Sequence, residues 1–172
     1  MRIIKIYELD MTQGVTVIDT ALLDETSDNA KKSDRLRMNH NFHTSEQEPL
    51  NRLLNAVEPG TYVRPHRHLN PDKVDAIIVL RGKVLSVVFD DDGRVTDSAI
   101  LSPADGVYGM EIEPGLWHTI VVLEPETVIY EVKEGPYAPL TPENFATWAP
   151  DGTDKEEVKN YIDKLLNATI FS

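Results

Sequence analysis

The 172 residues contain no cysteine. Disulfide staples and thiolate chemistry are therefore excluded, and any bound metal must be held by His, Asp or Glu. Basic residues are also scarce: 17 Lys and Arg face 29 Asp and Glu, a formal charge of −12. So acidic a chain repels phosphate backbones and anionic lipid, which argues against nucleic acid and membrane as partners. A locally basic pocket for an anionic small molecule stays compatible with it. No apolar run approaches the roughly 18 residues that a membrane span needs. The start, MRIIKIYELDMTQG, lacks an apolar core followed by a small-residue cleavage site, so no signal peptide is expected. The expected location is cytoplasmic. Internal repeats and low-complexity linkers are absent as well.

What is present is the composition of a soluble globular protein, with 41% hydrophobic and 27% charged residues. The length suits a single domain over residues 1–172. Within it, an N-terminal extension of strand and helix is expected over about 1–34, a barrel core over about 50–138 and a C-terminal helix over about 153–170. MRIIKIYEL alternates and is Ile-rich, as a strand would be. Asp19 is placed as an N-cap, and Leu22, Leu23, Thr26 and Ala30 then follow at helical spacing, predicting a helix over 19–32. RLRMNHNFHTSEQEP is polar and hard to assign, although Asn39, Asn41 and His43 alternate within it.

From Leu50 the punctuation changes. LNRLLNAVEPG, TYVRPHRH, DAIIVLRG, KVLSVVFDDDG, VTDSAILSPADG, YGMEIEPG, WHTIVVLEPE and TVIYEVKEG are short apolar or alternating runs closed by Gly, Pro, Asp or charged residues. Such spacing predicts an all-β sandwich or small barrel. The acidic run Asp90 to Asp92 before Gly93 reads as a hairpin turn rather than a calcium loop, because the remaining carboxylate spacing is missing. At the end, Thr153 and Glu156 suggest a capping box, and Val158, Tyr161, Ile162, Leu165 and Leu166 form one apolar stripe that would pack on the barrel wall or on a partner.

One stretch carries chemistry. In TYVRPHRH, read as a strand, Tyr62, Arg64, His66 and His68 share a face. Two imidazoles at i and i+2 can converge on one ion. Asp75 opens the next run, and His118 follows a Pro-Gly turn at the start of another. Three imidazoles and a carboxylate suit Fe, Mn, Ni or Zn as a divalent transition metal. Asp72 is the alternative to Asp75 as the acidic ligand. Arg64 could clamp a carboxylate or phosphate, and Tyr62 could donate a proton. Glu131 and Lys133 alternate on one strand face, with Lys133 a candidate acid, base or anion binder. Asn41, His43 and Tyr137 could reach the same pocket. Trp117 reads as wall packing and His40 as a surface residue.

These residues resemble the two cupin motifs. The first appears as Gly60, five residues, His66-Arg67-His68, then Asp75 and, six residues further, Gly82. Asp replaces the usual Glu, and six residues (LNPDKV) stand where three or four are usual. The second appears as EPGLWH, with Gly115 three before His118. The stretches RMNHNFHTSEQEPLNRLLNAVEPGTYVRPHRH, VLRGKVLSVVFDDDG and PGLWHTIVVLEPETVIYEVKEGPY, with the closing WAP, are similar to the WbuC-type cupin metalloproteins over about residues 35–149. The resemblance implies a double-stranded β-helix (jelly-roll barrel), a metal on His66, His68, Asp75 and His118, and a link to surface-polysaccharide biosynthesis. It leaves the reaction open between a metal-dependent enzyme of isomerase or oxygenase type, a non-catalytic binding or regulatory module, and a metal-independent sugar epimerase. It also implies a homodimer formed through N-terminal strands.

Overall fold

The computed structural model describes residues 14–170; the expected strand MRIIKIYEL lies outside them. Helix α1 (Thr20–Lys32) starts where Asp19 accepts a hydrogen bond from Leu22 N at 3.0 Å, the N-cap expected from sequence. Eight strands follow: β1 (Arg37–Asn41), β2 (Leu50–Val57), β3 (Asp75–Arg81), β4 (Val84–Phe89), β5 (Val95–Leu101), β6 (Gly109–Ile112), β7 (Trp117–Val122) and β8 (Thr127–Glu134). Helix α2 (Lys155–Ile170) is the last element of the described residues.

The strands form two antiparallel sheets, ordered β1-β2-β8-β3-β6 and β5-β4-β7. Val57, Ile77, Val79 and Ile129 of the first sheet meet Val84, Leu101 and Val122 of the second in one buried cluster. The fold is thus a two-sheet jelly roll, as the cupin resemblance implied. Each outer face is covered by a helix. Leu22, Leu23 and Ala30 of α1 pack on Leu54, Ala56 and Val128. Tyr161, Ile162, Leu165 and Leu166 of α2 pack against Leu85, Val87, Phe89, Trp117 and Val121. The C-terminal stripe therefore docks on the barrel wall. Its cap is Asp154, which accepts from the backbone N–H of Glu156 and Glu157, while the Thr153 hydroxyl turns back to Asp151. That corrects the capping box expected from Thr153.

Alternation decides which residue faces where. Val84, Ser86 and Val88 lie opposite Val122, Ile120 and His118 on the inner side, whereas Leu85, Val87 and Phe89 lie opposite Val121, Thr119 and Trp117 on the outer side. Gly82, the motif-closing glycine, adopts φ +81°, and a Cβ there would come 2.8 Å from Thr127 Cα, so only glycine fits this crossing. The acidic run forms the β4–β5 hairpin, with Asp90 accepting from Asp92 N and Arg94 N.

Two expectations need correction. TYVRPHRH is extended but is not a regular strand: it forms single bridges at His66, to His118 on one side and Phe145 on the other. Pro65 supplies no N–H, and its carbonyl accepts from Ala146 N. The segment is thus clasped between β7 and a strap around residues 144–146. Conversely, β1 forms from polar RMNHN, paired with β2 from Arg37↔Val57 to Asn41↔Leu53. Its sequence lacks apolar alternation because it is an edge strand with one face on an open cavity.

Candidate metal centre

His118 is set by the turn before β7, where Gly115 takes φ +82°. Reciprocal bonds between His66 N and His118 O (3.0 Å) and between His118 N and His66 O (2.9 Å) hold the two histidines side by side. His68 follows one residue beyond Arg67. The ring centroids lie 4.5 Å apart for His66–His118, 5.1 Å for His66–His68 and 5.5 Å for His68–His118. One nitrogen of each ring falls within 4.8 Å of the others, so the three could hold one metal ion.

The backbone sets the tautomers of two of them. His66 Nδ1 lies 3.0 Å from Arg64 O, and His118 Nδ1 lies 2.8 Å from Leu116 O. A carbonyl only accepts, so each Nδ1 carries the proton and each Nε2 keeps its lone pair. Second contacts of this kind orient ligating imidazoles. Nε2 of His68 and of His118 is buried with no hydrogen-bond partner among the described residues, as is Asp75 Oδ1. Orphaned polar atoms at one point are costly unless something fills them.

Asp75, the first residue of β3, is 4% exposed. Its Oδ2 stands 3.6 Å from His68 Nε2, 3.9 Å from His118 Nε2 and 3.2 Å from Lys133 Nζ. Lys133 is its cross-strand partner on β8 and also contacts Glu131 Oε1 at 2.5 Å. Asp72 is exposed in the LNPDKV loop, where Lys73 instead turns inward and donates to the Pro136 carbonyl. The longer motif gap is thus accommodated as a loop that brings Asp75, and not Asp72, to the histidines.

The electrostatics favour a cation. Burial, then the neighbouring His118 and Lys133 charges, pushes the His66 imidazole well below its usual range. Burial also lowers His118, to about 4. Both are neutral, ligand-ready imidazoles near pH 7. Burial alone would raise the Asp75 carboxyl, but Lys133 and the two histidines overcome it and hold it at about 2. Burial would likewise discharge Lys133, and Glu131 with Asp75 more than reverses that. Two carboxylates and one ammonium leave the centre one negative charge, which a divalent cation complements.

The centre opens into a cavity of about 1220 Å³. The inner face of the five-stranded sheet forms one wall, with Glu131 and Lys133 pointing in and Asn41 exposed at the mouth. Tyr137 stands at the rim, 52% exposed. Arg64 and Tyr62 line the other wall, both engaged with the chain. Arg64 donates through Nε and Nη2 to Ala146 O at 3.2 and 2.7 Å, with its guanidinium 5.4 Å from the Phe145 ring centre. The Tyr62 hydroxyl donates to Pro150 O at 2.7 Å, and burial pushes its pKa up to about 12. His43 lines the cavity, and its Nδ1 contacts Arg52 O and N at 3.0 and 3.2 Å. Trp117 sits in the outer-face cluster under the Arg67 guanidinium, 4.2 Å away, as wall packing. Sequence reasoning missed Arg37, Asn39, Asn51 and Asn55, which also line the cavity. The available signal was LNRLLNAV, where Asn51 and Asn55 fall on the strand face opposite Leu54 and Ala56.

Fold and centre together define a cupin-type jelly roll with a three-histidine cluster. The sequence model of a domain of unknown function (DUF6016) matches residues 18–101, just under half of the chain; the match includes His66, His68 and Asp75 and ends before His118. No curated protein matches. Among solved structures, KdgF from Halomonas sp. is similar at 16% identity and a TM-score of 0.47, over 59% of this chain and 82% of that one. A cupin 2 domain-containing protein from Halorhodospira halophila shares 22% identity at a TM-score of 0.43, over 56% and 62% of the two chains. CapF, a capsular polysaccharide assembling protein from Staphylococcus aureus, shares 18% at 0.49; the match takes in 66% of this chain but 29% of CapF. At these scores the likenesses add nothing to the topology described above.

Proposed function

We propose that this is a metal-dependent cupin acting on a small polar metabolite, anionic or sugar-related. The observation that carries the reading is the pair of buried Nε2 atoms on His68 and His118, without a partner among the described residues, beside the similarly orphaned Asp75 Oδ1. In this reading His66, His68, Asp75 and His118 hold a divalent transition metal of the Fe, Mn, Ni or Zn kind. A bound metal there supplies Lewis acidity at its open coordination positions. Lys133 holds Asp75 in place and is the nearest proton donor to the centre. Arg64, Asn41, Glu131 and Tyr137 contact substrate, and Tyr62 fixes the wall that carries Arg64. The resemblance to WbuC-type proteins supports a role in surface-polysaccharide biosynthesis; the absence of a signal-peptide pattern from the sequence supports the cytoplasm, and the common pairing of cupins through N-terminal strands supports a homodimer. No helix among the described residues is long and apolar enough to cross a membrane.

A second reading, a non-catalytic binding or regulatory module with the same metal, is favoured by one observation. The side groups able to move protons are already engaged: Glu131 with Lys133 and Asn55, Tyr62 with Pro150 O.

Elemental analysis of untagged protein purified without added metal tests the shared core. About one transition-metal ion per chain is expected, falling at least tenfold in His118→Ala with the fold retained by circular dichroism. Wild type free of metal, and unable to take it up after dialysis, would overturn both readings. Turnover of a sugar nucleotide that is lost in His66→Ala selects the enzyme; turnover that survives chelation points to metal-independent epimerisation.

A further inference from the structure

The cavity holds a second polar cluster, away from the histidines. Arg37 opens β1 and lines the cavity half-buried, beside Asn39 and Asn55. No carboxylate or other acceptor among the described residues pairs with its guanidinium. In so acidic a chain this is unusual. Arg52 pairs with Glu48, Arg81 with Asp24, Arg94 with Asp92 and Arg67 with Asp91, while Arg64 donates to Ala146 O. The carboxylate whose charge Arg37 feels, Glu131, is already taken by Lys133 at 2.5 Å and Asn55 Nδ2 at 3.3 Å. Exposed Arg35, also without an acceptor among the described residues, adds a second positive charge nearby. Asn55 gives one amide N–H to Glu131, and its Oδ1 is buried without a partner among the described residues. A cation lacking an anion and an acceptor lacking a donor thus share one wall.

Their place along the sheet bounds what could use both. Arg37 pairs with Val57 on β2, whereas Lys133 pairs with Asn51. From Val57 to Asn51 is about 20 Å of strand at 3.3 Å per residue, only part of which the Arg37 side chain spans.

We propose that Arg37, with Asn39 and Asn55, forms an anion subsite at the end of the cavity remote from the histidines, and that the ligand is an elongated polyhydroxylated acid. Its carboxylate or phosphate takes the Arg37 fork, and one hydroxyl donates to Asn55 Oδ1. The assignment rests on the cavity being the ligand site proposed above, and it names the class of ligand.

The test is calorimetric titration of the full chain, metal-stripped and metal-loaded, with D-gluconate, D-glucose 6-phosphate and neutral sorbitol. Wild type is expected to bind at least one of the acids more tightly than sorbitol, and the preferred acid tells carboxylate from phosphate. Arg37→Ala should weaken that acid by about tenfold or more while leaving sorbitol and metal content unchanged. Asn55→Leu should weaken acid and sorbitol alike. If Arg37→Ala proves unstable by thermal melt, Arg37→Gln replaces it, removing the charge at similar length. Equal acid affinity in wild type and variant, or no acid binding by wild type, would overturn the proposal. Arg37-dependent binding in a protein that takes up no metal would leave it standing and sink the metal reading instead.

Discussion

The two ends of the sandwich are built from the same inward-facing rows and have opposite chemistry. At one end Val57, Val79, Val84, Leu101, Val122 and Ile129 interdigitate with almost no exposed surface. Two to four residues along the same strands, the inward position becomes Asp75 on β3, His118 on β7, and Glu131 then Lys133 on β8. Alternation is unbroken, so the difference lies only in which side chains the rows carry. Burying each large aliphatic at the closed end contributes about 1.5–3 kcal/mol. Burying charge at the open end costs stability unless it is paired. The closed end therefore supplies the stability that lets the open end hold orphaned imidazoles and a crowded Asp–Lys–Glu group.

This division can be broken from either side. At neutral pH the largest effect is expected from Leu101→Ala, at 1% exposure. It should cost about 4 kcal/mol and lower Tm by on the order of 10 °C, with metal content unchanged; denaturant melts with elemental analysis check both. A loss of metal together with stability would show that the two ends are not separable. Next is Lys133→Met. Removing the ammonium leaves Asp75 and Glu131 uncompensated, so the metal-free protein should lose about 3 kcal/mol. Added metal should then raise Tm more in this variant than in wild type, because it replaces the missing positive charge. An equal or smaller rise would count against Asp75 as a ligand. The smallest effect at neutral pH is that of titration, and it grows on acidification. His66 and His118 stay neutral in the fold, the latter to about pH 4, while unfolded histidine takes up a proton near 6.5. Between those values the unfolded chain binds more protons. The metal-free protein should therefore lose stability as pH falls from about 6.5 to 4, at up to about 1.4 kcal/mol per pH unit for each histidine. Bound metal should flatten the upper part of that slope, and melts at half-unit pH steps would measure it.

Much of this was legible from residues alone. Seven of the eight apolar runs became strands, since period-2 burial and Gly or Pro punctuation are local properties. The histidine spacing also pointed to one centre before any fold was known. TYVRPHRH looked like a ladder strand, yet Pro65 and the residue 144–146 strap allow it only single bridges at His66. RMNHN carried no apolar alternation because its inward face meets a cavity, and Arg37 and Asn39 were not placed in the pocket for the same reason. Thr153 lost the α2 cap to Asp154, one residue away, a choice between neighbouring acceptors that propensity does not resolve.

By itself, then, the sequence determined the jelly-roll class, the absence of sulfur ligands and the three histidines, because alternation and side-chain chemistry are written residue by residue. Only the tertiary structure decided that Asp75 rather than Asp72 faces those histidines, that Lys133 lies against the Asp75 carboxylate, and that Arg64 and Tyr62 are tied to Ala146 and Pro150, more than 80 residues away. Each depends on which strand or loop lies beside which, and that is settled by how the sheets close around their shared core, not by any one segment.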